Sequence, residues 1–331
     1  MLKLSNISAS RIKTFDTCKY QYWLKYVEHA TMRSNWGAAH GSLLHDVLEF
    51  YSNEEDTDWM KRLYKGYAGE LETLDRHGEM AMMESPLVWA KVKEYHEKPK
   101  LCDVCPHAET DENRCGISHE QLDALTGCPK PLFDESITML EKVMARYQEI
   151  WPKLLKDEKG AIAGAEYRFQ IPLAGRPDVP ILGFMDLVVE ENEDTIHVID
   201  YKAGKKTQDF MECKDDIQVR MYSLACRKEF IEDVNNKGYK YKNVILTFDY
   251  FRNKPITLAL SAEEDAATEK FVVDKIHEIE QTEWIDRIVR NDEELETKTR
   301  FGQVAFTCKY LCDSNVCKDT WKGRFKVEDG Q

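Results

Sequence analysis

Two aspartates stand inside runs that are otherwise apolar, and this placement restricts the fold more than any other feature of the chain. Asp186 interrupts Ile181-Leu182-Gly183-Phe184-Met185-Asp186-Leu187-Val188-Val189, and Asp200 falls near the end of Ile196-His197-Val198-Ile199-Asp200-Tyr201-Lys202. Short apolar runs rich in β-branched residues read as buried strands. A carboxylate inside such a strand is costly unless it is paired or holds a metal. Two carboxylates on paired strands can share one divalent cation. Mg²⁺ takes oxygen ligands of this kind and keeps waters able to attack a phosphate. Lys202 follows Asp200 by two residues and so shares its strand face. There it can orient the nucleophile or stabilise charge developing on a phosphate. A surface ion pair at an exposed strand end is the plainer alternative.

The flanking pattern supplies the rest of the architecture. Ser8-Ala9-Ser10-Arg11 reads as a capped helix start, followed by a helical apolar rhythm through Phe15, Tyr22, Trp23 and Tyr26. Leu44, Val47, Leu48 and Tyr51 predict a helix from about Gly41 to Tyr51, with His45 beside the stripe. Residues 54 to 85 read as polar helix, and a long helix is expected from Phe133 to Leu155. Strands are expected over Ala163–Ile171, Pro180–Glu190 and Thr195–Tyr201, the last two joined by a polar hairpin turn. A helix over Asp215–Val234, strands over Val244–Phe251 and Ile256–Leu260, and a serine-capped helix over Ser261–Ile279 complete the order. Helices, strands, helix, strands, helix predict an α/β or α+β class with a central mixed β-sheet flanked by helices.

Further side chains could join the two aspartates. His45, in the pattern Gly41-x-x-x-His45, could add an imidazole ligand, which suits Mn²⁺ better than Mg²⁺. Gln218 and Tyr222 are four apart and share a helix face. Glu166, on the first strand of the group, is a further acid that could approach the site.

The ten cysteines carry a second message. Met1 to Arg11 lacks a secretory h-region, so a reducing, cytoplasmic setting is expected, where a disulfide framework does not form. Between Pro99 and Pro131 lie Cys102, Cys105, Cys115 and Cys128, with His107 and His119 as substitute ligands. Cys102-x2-Cys105 is half of a zinc knuckle, and the segment has too few apolar residues to fold unaided. Residues 99–131 are therefore expected to be a metal-binding insertion, holding Zn²⁺ or a second cluster, within a single domain spanning 1–331. Cys213 and Cys226 read as buried free thiols.

The formal net charge of −14 excludes a protein that coats nucleic acid nonspecifically, so any contact with it must be local. Candidate basic stretches are Lys202–Lys206, Lys237–Lys242 and Lys318–Lys326, the last with Trp321 and Phe325. No apolar run is long enough to span a bilayer, so no membrane partner is expected.

The order His45, Gly183-Phe-Met-Asp186, Asp200-Tyr-Lys202, Gln218-x-x-x-Tyr222 resembles the RecB-type branch of the PD-(D/E)XK nucleases. The opening, Ser8 to Arg11 and then Cys18-Lys-Tyr-Gln-Tyr-Trp-Leu-Lys-Tyr26, resembles CRISPR-associated RecB-like exonucleases and AddB-like nucleases, although Lys19 stands where that family usually has proline. The resemblance implies a restriction-endonuclease-like core. His45, Asp186, Asp200 and the Tyr201 carbonyl would be ligands of Mg²⁺ or Mn²⁺. Lys202 would be the catalytic lysine, with Gln218 and Tyr222 supporting it or the DNA. Cys18 with Cys308, Cys312 and Cys317 resembles the family's iron-sulfur staple, a 4Fe-4S cluster joining the chain ends, with zinc as the alternative occupant. The family's tail spacing is C-x2-C-x5-C; here it is C-x3-C-x4-C.

The expected activity is a metal-dependent deoxyribonuclease, an exonuclease acting on single- or double-stranded DNA ends. The rival is a binding module that holds DNA ends or a protein without cutting. Protein partners in recombination, replication or CRISPR adaptation would follow from the resemblance.

Overall fold

The computed structural model describes residues 2–29, 36–54, 59–60, 62–63, 108–109, 114–115, 130–157, 159–204 and 207–282. Two short helices open the chain, α1 (Ala9–Thr17) and α2 (Lys19–Tyr26). The Ser8 hydroxyl caps α1 by accepting from the Arg11 N–H, as the sequence predicts. The single helix expected through Tyr26 is broken at Cys18. That residue is extended (φ −157°, ψ 108°), and its Sγ accepts from the Gln21 N–H to begin α2. Helix α3 (Trp36–Glu54) carries His45.

Within the expected insertion, β1 (Ala108–Glu109) and β2 (Arg114–Cys115) form a two-stranded antiparallel ladder. Helix α4 (Lys130–Tyr147) follows. It stops short of the expected Leu155, and a 3₁₀ turn, Trp151–Lys153, takes over with Pro152 inside it. Proline lacks the N–H that a continuing helix would need.

The central sheet has the order β3-β4-β5-β6-β7, from β3 (Ala165–Ile171), β4 (Ile181–Asn192), β5 (Thr195–Lys202), β6 (Asn243–Tyr250) and β7 (Ile256–Leu258). It is mixed: β5 and β6 are parallel, and the other pairs are antiparallel. The β5–β6 crossover holds α5 (Phe210–Asp215), α6 (Ile217–Cys226) and a π turn, Arg227–Ile231. The helix expected over Asp215–Val234 starts at α6, where Asp216 is the N-cap and accepts from the Gln218 N–H, and it ends early in the π turn; α5, capped by Asp209 through the Glu212 N–H, was not expected. Helix α7 (Ala262–Gln281) starts on a Ser261–Glu264 capping box.

Both sheet faces are covered. One core packs Ile12, Phe15 and Tyr22 with Leu224, Phe230, Val272 and Ile276 on one face. The other packs Leu44, Val47 and Leu48 of α3 and Leu140 and Val143 of α4 on Leu187, Val189 and Ile199. Each fully buried Leu, Val or Phe side chain contributes about 1.5–3 kcal/mol over its exposed state. The mixed sheet with flanking helices is the architecture expected from the sequence. Among the described residues, no helix is long and apolar enough to cross a membrane.

Candidate active site

The β4–β5 ladder runs from the hairpin as far as Leu187↔Ile199. At the next position a side chain replaces the main chain: the Tyr201 N–H donates to Asp186 Oδ2 at 2.6 Å. On the other flank, the β3–β4 register steps from Tyr167↔Met185 to Ala165↔Leu187. The intervening Glu166 has a left-handed φ of +48°. A non-glycine residue there is strained by about 1–3 kcal/mol unless its surroundings hold it. Both irregularities fall beside Asp186, where the sheet gives up ladder bonds and presents carboxylates.

His45 of α3 completes this corner, with Nδ1 3.4 Å from Asp186 Oδ1. The imidazole is edge-on to Tyr201, with centroids 5.9 Å apart. One ligand atom each from His45, Glu166 and Asp186 lies within 4.8 Å of the others. An imidazole nitrogen and two carboxylates suit Mn²⁺ or Mg²⁺. Glu166, secondary in the sequence reading, is thus a member of this group. The only sequence signal for it was an acid on the strand paired with that of Asp186.

Asp200 is turned the other way, toward α6. It forms an ion pair with Lys202 and accepts from Gln218 Nε2 at Oδ1, 3.0 Å away. Its buried Oδ2 has the Lys202 ammonium as ion-pair partner but no well-formed hydrogen bond. Gln218 uses its whole amide. Its Oε1 accepts from Lys202 Nζ at 3.0 Å, and its Nε2 donates to Asp200 and to Tyr222 Oη at 3.1 Å. Tyr222 donates onward to the Phe184 carbonyl at 2.5 Å. The Lys202 ammonium also lies 5.1 Å from the Phe248 ring centroid. Asp186, Asp200, Lys202, Gln218, Tyr222 and His45 therefore converge, from α3, β4, β5 and α6.

The charges press on one another. Burial, then the Asp186 charge, pushes Glu166 up to about 7. Burial raises Asp200 to about 6; Lys202 opposes this and Asp186 adds to it. Burial would lower His45, but the charge and hydrogen bond of Asp186 outweigh it and raise the imidazole to about 9. Burial likewise works against Asp186 and Lys202, yet Asp186 is held below the usual carboxylate range by His45 and the Tyr201 N–H. Lys202 is held up by Asp200. The lysine is thus an ammonium at neutral pH. As a ligand, His45 must be neutral, so a cation and the imidazole proton exclude each other.

The remaining expected sites are placed unevenly. Cys18 is half-buried at the α1–α2 junction, while Cys308, Cys312 and Cys317 lie outside the described residues. Cys102, Cys105 and Cys128 also lie outside them, and Cys115 is placed only by its backbone in β2. Cys213 and Cys226 are buried free thiols, as expected. In the basic stretch 237–242, Lys237 is tied to buried Glu229 and Lys242 to Asp194. Lys205, Lys206 and residues 318–326 lie outside the described residues. Sequence reasoning missed Asp216, which caps α6 and binds Lys13 Nζ at 3.0 Å. It also missed the buried Asp249–Arg146 ion pair.

A mixed sheet that carries these acidic and basic side chains has a counterpart among known families. The model of the PD-(D/E)XK nuclease superfamily matches residues 6–317, and the chain belongs to that superfamily. It is by family a nuclease, a hydrolase. Among curated proteins it is similar to a subunit of the ATP-dependent helicase/deoxyribonuclease of Clostridium tetani (strain Massachusetts / E88). The two are 26% identical over 252 residues, which is 72% of this chain and 19% of that protein. The chain thus spans about a fifth of the length of this relative. Among solved structures it is similar to a crystal structure from Eubacterium rectale described as "Putative exonuclease". The TM-score is 0.42 and the identity 10%, with 83% of this chain and 81% of that one covered.

Proposed function

We propose that the chain is a Mg²⁺- or Mn²⁺-dependent deoxyribonuclease that hydrolyses phosphodiester bonds at DNA ends. The observation that carries this reading is the adjacency of two groups: the His45–Glu166–Asp186 ligand set and the Lys202 ammonium fixed by Asp200 and Gln218. To His45, Glu166 and Asp186 this reading adds Asp200 and the Tyr201 carbonyl as further ligands, which requires Asp200 to exchange part of its hold on Lys202 and Gln218 for the cation.

A divalent cation on these ligands would supply Lewis-acid polarisation of a phosphoryl oxygen. The chain's own residues account for the rest. Lys202 carries a fixed positive charge to a non-bridging phosphate oxygen, and Gln218 sets the direction of that charge. Tyr222 fixes Gln218 through the Phe184 carbonyl. Because these donors are ordered beforehand, little reorganisation is needed as negative charge grows.

The metal-bearing frame is part of the same reading. Cys18, Cys308, Cys312 and Cys317 would hold a 4Fe-4S cluster, and Cys102, Cys105, Cys115 and Cys128 a Zn²⁺, in an insertion of one nuclease domain. Similarity to part of a helicase/deoxyribonuclease subunit supports DNA as substrate and a protein partner.

The test is cleavage of labelled linear and circular DNA by the full chain with Mg²⁺, Mn²⁺ or chelator. Cleavage of linear DNA that needs the cation and is lost in Asp186→Ala and Lys202→Ala is expected. Equal cutting of closed circles would overturn the end specificity, and unchanged cutting by both variants would overturn the site. Protein purified without air should absorb near ~400 nm if the cluster is present; a colourless, zinc-only protein refutes it.

A further inference from the structure

Phe184 is half exposed, at 50%, beside the carboxylates. Its neighbours Gly183 and Met185 face the opposite side of the sheet: Met185 is fully buried, and Gly183 lies against the Phe169 ring. Phe184 therefore shares the face of Asp186, two residues on. Its ring makes no aromatic or cation–π contact among the described residues. Its carbonyl accepts from Tyr222 Oη. A phenyl ring is thus held in water on a backbone anchored to the Lys202–Gln218–Tyr222 chain.

Directly opposite in the β3–β4 ladder stands Arg168, exposed, its guanidinium without a hydrogen bond or ion pair among the described residues. Most other arginines with described side chains, Arg11, Arg62, Arg146, Arg176, Arg220, Arg227 and Arg252 among them, hold a partner. Arg168 also lines a groove of about 470 Å³ at the open edge of β3. In a chain of net charge −14, an arginine two residues along β3 from Glu166, with no anionic partner among the described residues, offsets part of the repulsion that a phosphate approaching this strand would meet.

We infer that Phe184 and Arg168 seat an unpaired DNA strand as it enters the site, the ring stacking on a base and the guanidinium holding a phosphate. This rests on the nuclease reading above and adds the form of the substrate. Two residues of strand span about 6.8 Å, and a stacked strand rises about 3.4 Å per nucleotide. The stacked base is thus one or two nucleotides from the phosphate at Asp186. Inside a duplex the faces of the bases cover one another, so a ring standing free can stack only on an unpaired or terminal base. Aromatic stacking together with a cation is the recurring way single strands are held.

The experiment uses the full chain and a single-stranded oligonucleotide with 2-aminopurine near its end. Fluorescence is read in chelator, and KM and kcat are read separately with Mn²⁺ on single-stranded and duplex DNA. Expected are quenching by the wild-type protein and its loss in Phe184→Ala and in the still-apolar Phe184→Leu. Quenching should persist in Phe184→Trp. KM for single strands should rise about tenfold in Phe184→Ala, chiefly without change in kcat. Arg168→Ala should raise KM and lower the salt slope by about one. No quenching by the wild type, or wild-type quenching and KM in Phe184→Ala and Arg168→Ala, overturns the inference while leaving metal-dependent cleavage intact. A wild-type protein that does not cut, yet shows quenching lost in Phe184→Leu, upholds the seat and removes the nuclease reading instead.

Discussion

Gln218 accepts from the Lys202 ammonium at 3.0 Å, and its amide nitrogen is spent on Asp200 and Tyr222. An amide with all three bonds made has one orientation, so the direction in which Lys202 presents its charge is set from α6. The lysine is therefore fixed by three elements: its own strand, helix α6 of the crossover, and the Phe248 ring on β6.

Gln218→Leu removes this hold without touching His45, Glu166 or Asp186. Cleavage should fall by about 10- to 100-fold, the usual effect of losing an orienting partner, while affinity for Mn²⁺ stays near wild type. Single-turnover cleavage together with calorimetric titration of the cation reads both. A wild-type rate would remove Gln218 from the positioning of Lys202.

Asp200 is 2% exposed, and Lys202 is its ion-pair partner. Lys202→Met leaves a buried carboxylate facing an apolar chain and should cost about 2–3 kcal/mol. Asp200→Asn added to Lys202→Met should restore part of that loss, because the amide needs no counter-charge. Urea unfolding of the four proteins of this cycle measures the coupling. Additive losses would mean that the pair contributes nothing to stability.

The elements that were legible in sequence are those with a local cause. Ser8 and Ser261 each cap a helix where expected, and the apolar runs around Asp186 and Asp200 placed β4 and β5 to within two residues at either end. What was not legible has tertiary causes. The left-handed φ at Glu166 falls where β3 and β4 skip a pair beside Asp186, and nothing in Ala165-Glu166-Tyr167 requires it alone. Asp249 finds Arg146 across 103 residues, in a pairing only the folded sheet creates. The break at Cys18 was readable in principle, since its side chain can cap the helix that follows. The continuous apolar rhythm through Phe15, Tyr22 and Tyr26 concealed it.

Gly183 carries a steric demand that links packing to the site. A Cβ built there would lie 2.5 Å from Cζ of Phe169, whose ring packs edge-on against Tyr222 at 5.9 Å. Gly183→Ala should therefore cost about 1–3 kcal/mol as an overpacked core, and it should slow cleavage by shifting Tyr222. Adding Phe169→Leu frees the space, so the double variant should lose less stability than the sum of the two single losses. Denaturation midpoints and cleavage rates of the three variants decide this. A Gly183→Ala protein as stable as wild type would show that the strand moves aside.

Glu280 ties the two ends of the described fold together, and its effect should depend on pH in a defined direction. Its carboxylate accepts from the Leu4 N–H at 3.1 Å and from Arg176 at 2.7 and 3.1 Å. The Arg176 hydrogen bonds, followed by the Leu4 N–H, hold Glu280 below the usual glutamate range against the opposing effect of burial. A carboxylate lowered on folding binds fewer protons in the native state than in the unfolded chain. Its stabilisation is therefore complete above the ordinary glutamate pKa of about 4.3 and is lost as pH falls through the lowered native value. Glu280→Gln should thus be less stable than wild type at pH 7, by about 1 kcal/mol for a charged, partly solvated hydrogen-bond set. The two proteins should converge below pH 4, where the wild-type side chain becomes neutral as well. Urea midpoints measured from pH 7 down to pH 3 test the sign directly. A gap that widens in acid would mean that Glu280 is held by its neutral form and that the Arg176 contact does not stabilise the fold.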